Sequence, residues 1–182
     1  MSPSDLTATN TYTGATTIDS GGLVAISGNE SGTGSADHAI NVEDGTLQVV
    51  TGGSISTHSD LILGNGTTSG VFVLGDGSNA NNVTVAGLNT SGTGTGNAVV
   101  NGGSGGTSTL TVTGSGTFSG ALGGSGSNQN NVALVKSNSG TLDLTGNTNT
   151  YTGGTTVNGG TLAVDNTLSA SAATGSGTVQ VN

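Results

Sequence analysis

Short apolar bursts separated by Gly, Asn and Ser run the length of this 182-residue chain. Fourteen of them read as strands: Thr16–Ile18, Leu23–Ile26, Ala39–Val42, Thr46–Val50, Asp60–Leu63, Val71–Leu74, Asn82–Ala86, Ala98–Val100, Thr109–Thr113, Val132–Val135, Thr141–Leu144, Thr155–Val157, Thr161–Val164 and Thr178–Val181. Most alternate apolar with polar or small residues, as in Thr109-Leu-Thr-Val-Thr113 and Thr141-Leu-Asp-Leu-Thr145. A period of two sends one set of side chains inward and the other to water. No helix-length window keeps an apolar stripe without a glycine in it, so helix content is expected to be near zero.

Bursts of three to five residues joined by Gly-rich corners can close as an antiparallel sandwich or as a parallel β-helix. A sandwich buries large side chains between its sheets. This chain offers only Phe72, Phe118, Tyr12 and Tyr151 as aromatics. A β-helix has a narrow interior filled by stacked Val, Ile, Leu, Ala and Thr, which suits this composition better. The expectation is an all-β, right-handed parallel β-helix of roughly nine coils and about 40 Å, at about 20 residues and 4.8 Å per coil. Ser91–Gly96, Gly102–Gly106 and Ala121–Asn131 are its most linker-like stretches, expected as loops bulging from one corner or as wide turns. No domain boundary is visible. Residues 1–8 read as an N-terminal extension or cap, and 9–182 as a single solenoid.

Self-similarity supports the solenoid. Thr9 to Leu23 aligns without gaps to Thr148 to Leu162, with ten of fifteen positions identical. Repeat copies are therefore expected at 9–28 and 147–182, so the first and last layers of the stack should look alike.

The second copy, Asn149-Thr-Tyr-Thr-Gly-Gly-Thr-Thr-Val-Asn-Gly-Gly-Thr-Leu-Ala-Val164, resembles the autotransporter-associated β-strand repeat of large bacterial surface and secreted passengers. That pattern continues with a Leu-containing segment and Gly-x-Gly-x-Val-x-Val, matched by Leu168 and Gly175-Ser-Gly-Thr-Val-Gln-Val181. The first copy matches in Asn10-Thr-Tyr-Thr-Gly14 and Thr16-Thr17 and departs at Gly22. The resemblance is firm over about a third of the chain. It implies a right-handed parallel β-helix, a place at the bacterial cell surface or in the medium, and no intrinsic catalysis. Such passengers usually precede a membrane-embedded β-barrel, and nothing here alternates for long enough to form one.

Composition sharpens the picture by exclusion. Thirty-six glycines and few aromatics look like a linker, yet only 6% of residues are charged and the apolar bursts are regular, which argues for a folded chain. Ten acids stand against one base, Lys136, for a net charge of −9. Nucleic-acid affinity is largely counterion release by cationic groups, so no nucleic-acid partner is expected. Anionic lipid is disfavoured on the same ground, and no run suits a membrane-spanning helix, so no membrane insertion is expected. There are no cysteines, hence no disulfide scaffold or thiolate metal site. Met1-Ser-Pro-Ser-Asp5 has neither the basic nor the apolar region of a signal peptide.

Candidate chemistry is sparse. Glycan-cleaving β-helix enzymes need paired carboxylates or a calcium ion with a base. Adjacent acids occur only at Glu43-Asp44, where strand neighbours face opposite sides, and Lys136 reads as a solvated corner lysine. His38 and His58 lie a coil's length apart, with Asp37 and Asp60 nearby, a legal metal set if they stack; the simpler reading is two polar loop histidines, and no cofactor is expected. Asp76-Gly-Ser-Asn-Ala-Asn-Asn82 is oxygen-rich like a calcium loop, but an asparagine-rich turn explains it. Thr-x-Thr pairs suggest an ice-binding face, yet their spacing is irregular and strand propensity accounts for them. Tyr12 and Tyr151 share one repeat position and could stack on sugars or seal a corner.

These observations predict a non-catalytic extracellular structural β-solenoid, either a passenger-type surface module or a subunit that assembles with itself, head to tail, into a filament. The assembly surface would lie on the terminal coils, at Tyr12, Ile18, Leu23, Tyr151, Val157, Leu162, Val179 and Val181. The competing reading is a monomeric adhesin that binds surface glycans through loops such as Asn89–Asn97 or Leu122–Asn131.

Overall fold

The computed structural model describes residues 4–30, 38–165 and 175–182. Among these, every strand lies in a parallel sheet and no helix occurs. Three walls wind round one interior, and from residue 16 to residue 144 the strands visit them in constant order: third, first, second. The first wall stacks β1 (Ser4–Leu6), β3 (Gly22–Ile26), β6 (Gly45–Val49), β9 (Gly70–Leu74), β12 (Ala98–Asn101) and β15 (Ala121–Leu122). The second stacks β4 (Asn29–Glu30) and β7 (Ser54–Ile55), with β10 (Val83–Val85) alongside, then β13 (Ser108–Val112), β16 (Val132–Lys136), β18 (Thr155–Val157) and β20 (Val179–Val181). The third stacks β2 (Thr16–Ile18), β5 (Ala39–Val42), β8 (Asp60–Leu63) and β11 (Gly87–Thr90), then β14 (Gly116–Phe118), β17 (Thr141–Leu144) and β19 (Thr161–Val164).

The fourteen expected strands all occur, within a residue or so at their ends. The six that the pattern missed are β1, β4, β7, β11, β14 and β15, which are short, glycine-led or without two inward apolar residues. The solenoid has about seven turns rather than nine. The difference lies at the corners. In-register partners are 20 residues apart at the first rung, Leu6 with Ile26, but 27 apart at Leu74 with Asn101. The linker-like stretches are these longer corners, and they do not share one edge. Residues 91–97 join the third wall to the first, whereas 102–107 and 123–131 join the first to the second. Residues 4–6, expected within an extension or cap, form the first rung by pairing with β3.

Parallel stacking in register lines identical faces into columns. On the first wall Val24, Leu47, Phe72, Val99 and Leu122 run up the interior, with Leu6, Ile26, Val49 and Leu74 beside them. From Leu47 to Leu122 the first column is wholly buried, so the period of two in the sequence becomes one dry core. Phe72, Phe118 and Tyr151 are its bulkiest members. Close coil contact requires glycine at points such as Gly70, where a Cβ would run into the Val42 carbonyl below.

Backbone groups at the corners are satisfied by asparagine. Asn97 Oδ1 accepts from Gly70 N at 2.9 Å while its Nδ2 donates to Gly94 O. Asn149 repeats the arrangement, accepting from Leu122 N at 2.9 Å and donating to Gly146 O. Both are buried, and each reaches 27 residues back, one coil down. Between β11 and β14 the side chains of Asn89 and Thr90 accept from Thr117 N and Ser119 N, carrying the third wall across a break in its backbone ladder.

Candidate functional site

The two repeat copies are two complete coils of the same length. In the first, β1 pairs with β3 after 20 residues; in the second, β17 pairs with β19 after 20 (Leu142 with Leu162). They are not in the same orientation. The first runs from the first wall back to the first wall, and the second from the third back to the third, so the copies are turned by one wall about the axis.

The ungapped sequence alignment holds from Thr9 to Ile18 and then slips by one residue. Leu162 faces inward on β19, stacked on the buried Leu142, whereas Leu23 faces outward on β3 beside Thr46. Val24 occupies the inward place that alignment gave to Leu23. The extra residue sits in the turn before β3, where Ser20 and Gly21 take φ of 56° and 71°. Leu168 and Asp37 lie outside the described residues.

Each copy fixes its tyrosine in the same way. Tyr12 Oη lies 2.6 Å from Thr16 Oγ1, and Tyr151 Oη lies 2.7 Å from Thr155 Oγ1. Their surroundings differ. Tyr151 is fully buried, with its backbone N–H bonded to Leu122 O one coil below and its carbonyl accepting from Ser176 one coil above. Gly175, at φ +67°, lies against the ring where a Cβ would collide with it. Burial holds the Tyr151 phenol above its ordinary pKa. Tyr12 is 39% exposed and its hydroxyl also donates to Glu30. Partial burial and that carboxylate likewise raise its pKa.

Of the residues expected on the terminal coils, Tyr12, Ile18 and Leu23 lie at one end of the solenoid and Tyr151, Val157, Leu162, Val179 and Val181 towards the other. Ile18 is 3% exposed and Tyr151 not at all, whereas Val179 and Val181 are 52% and 74% exposed. Val157 pairs with Val181. Val164, which the pattern did not single out, is also exposed on β19.

Lys136 and His38 depart from their sequence reading, both being buried. Lys136 is not a solvated corner lysine. The period of β16 places it inward with Val132 and Leu134, between Val112 and Val157, and it is fully buried. Its ammonium donates to the carbonyls of Ser137, Ser139 and Asn138 at 2.8, 3.3 and 3.4 Å. Desolvation lowers its pKa. The alternative of stacked histidines is not met, since Ala39 pairs with Asp60, which puts Ser59, not His58, above His38. His38 is buried with Nε2 3.0 Å from Ser59 Oγ, while His58 is exposed. Among the described residues no three His, Asp or Glu side chains gather.

The oxygen-rich turn at Asp76 is spent on the backbone. Asp76 accepts from the N–H groups of Thr51, Ser78 and Asn79, which lowers its pKa, and Asn81 Nδ2 donates to Val49, Val50 and Gly53 carbonyls. No helix among the described residues is long and apolar enough to cross a membrane.

Residues 5–26 and 134–164 match the passenger-associated-transport-repeat family. The first match spans the coil from β1 to β3, and the second spans the coil from β17 to β19 together with the end of β16 before it. Neither the curated proteins nor the solved structures gave a match to the chain. The chain therefore carries two passenger-type repeats within a parallel β-solenoid.

Proposed function

We propose that the protein is a non-catalytic structural module of an exported bacterial passenger, a rigid spacer held at the cell surface or released from it. The observation that carries this reading is that each passenger-type match takes in one complete 20-residue coil. A repeat that closes one full turn can add length without altering the coils beside it. Ser59, whose hydroxyl meets His38, has no exposed surface, and Glu43 is engaged with Asn65, which fits a scaffold better than an enzyme. The test is display. Placed behind an export leader and ahead of an outer-membrane β-barrel, the chain should reach the bacterial surface and stay intact under added protease. Retention in the periplasm, or rapid digestion outside, overturns the reading.

A second reading, end-to-end self-assembly, is favoured by the exposed valines of β19 and β20. A second copy turned by one wall would set its β1 on β19 and its β2 on β20. Leu6 would then meet Val164, and Ile18 would meet Val181. Inside the chain β17 and β18 already cover β14 and β16 in this way, Leu144 over Phe118 and Val157 over Lys136. Such a heterologous contact propagates into a filament. Negative-stain microscopy over a range of concentrations decides it: threads that shorten with Val181→Lys support assembly, and isolated short rods throughout overturn it and make a glycan screen the next step.

A further inference from the structure

The first three coils meet, at the corner between the second and third walls, in a polar cluster that the repeat does not require. Glu30 stands at an inward position of the second wall, paired with Ile55 above, and only 1% of it is exposed. A carboxylate so placed is costly unless its lone pairs are filled. Oε1 accepts from Tyr12 Oη and from Thr16 Oγ1 at 3.1 Å. Oε2 is buried with no hydrogen-bond partner among the described residues. His38, 4% exposed, aims Nε2 at the same carboxylate from the start of β5, at 3.8 Å from Oε1. That gap is too wide for a hydrogen bond. It is within a few tenths of an ångström of the roughly 3.4 Å that separates two ligands of one tetrahedral zinc ion. Tyr12 closes the cluster towards solvent, its ring edge-on to the His38 ring at 6.5 Å and 62°.

We propose that this corner binds one first-row divalent transition-metal ion, Zn²⁺ in type, through the Glu30 carboxylate, His38 Nε2 and Tyr12 Oη. Carboxylate, imidazole and phenolate are a compatible donor set, and Oε2 supplies lone pairs that no described residue uses. On binding, the Tyr12 phenol proton leaves to solvent and His38 gives up its hydrogen bond to Ser59. Tyr12, at 39% exposure, is the way in. The ion would tie the connector between β1 and β2 to the second coil and so staple the first coil down.

The experiment is calorimetric titration of the full chain with Zn²⁺, with His side-chain resonances followed by NMR. One ion per chain is expected, with the ring signals of His38 moving and those of the exposed His58 staying still. Glu30→Gln and His38→Gln should each weaken uptake by more than about tenfold, and His58→Gln should not. Absence of one-to-one uptake overturns the site, as does movement of His58 instead of His38. Uptake undiminished in Glu30→Gln does so too. The NMR comparison uses the unaltered protein, so it decides the matter even where a variant fails to fold.

Discussion

Two coils of this molecule are built from nearly one sequence and end in different surroundings. Both span 20 residues, and both lock a tyrosine hydroxyl to a threonine four residues on. Yet Tyr12 is 39% exposed and Tyr151 fully buried. The first coil has neighbours on one side only among the described residues, whereas Tyr151 bonds the Leu122 carbonyl below through its backbone N–H and has Gly175 against its ring above. A repeat motif thus fixes a local turn and a hydroxyl pair; the next coil decides whether that turn carries core energy. The largest test is truncation. Tyr151→Ala should cost about 3–5 kcal/mol, the usual loss for a large buried aromatic, and Tyr12→Ala about 1 or less. Denaturant unfolding of the two variants checks it, and equal losses would mean that the motif, not its burial, sets the energy.

The asparagines extend the comparison one step down in size. Asn149 bonds the backbone N–H of Leu122 in the coil beneath, while Asn10 Nδ2 reaches only Ala8 O within its own connector. Asn149→Ala leaves a buried N–H without its acceptor and should cost about 1–3 kcal/mol. Asn10→Ala loses only a solvent-accessible bond from a half-buried residue and should cost about 0.5 kcal/mol. Smaller again is the hydroxyl itself. Tyr151→Phe strands Thr155 Oγ1, which is buried, and should cost about 1 kcal/mol, read as a lower denaturation midpoint at unchanged slope.

Much of this architecture is legible in the residues, and the misses share a physical cause. Alternation such as Thr141-Leu-Asp-Leu gives strand and facing directly, because the period of two survives any arrangement of the sheet. Coil length does not follow from it. Loops at the corners add residues without disturbing the columns, so a uniform 20-residue coil overcounts the turns. The outward Leu23 shows the same limit at finer scale. One extra residue in a turn reverses the facing of a strand, and an alignment that scores identities favours leucine on leucine. At the polar corner, His38 belongs by its spacing from Ile40 and Val42 to an inward column, a signal present in the sequence. Glu30 gave no such signal, since its strand is two residues long and no alternation marks it.

Lys136 carries the subtlest expected effect, a slope rather than a midpoint. It is the single lysine or arginine of the chain, and it stands in a valine column with three carbonyl oxygens round its ammonium. Burial lowers its pKa from 10.5, so the folded chain releases that proton before the unfolded chain does. Between the lowered value and 10.5 the unfolded state therefore holds more protons, and stability must rise with pH across that window. Tyr151 acts in the opposite sense. Its folded pKa lies above 10.0, so above that pH the unfolded state loses its proton first and stability falls. Unfolding free energy should climb through the alkaline range and turn over near pH 10. In Lys136→Met the climb should vanish while the fall remains, and in Tyr151→Phe the fall should soften while the climb remains. A wild-type curve that stays flat below pH 10 would show that the carbonyl cup fully replaces the water this ammonium has lost.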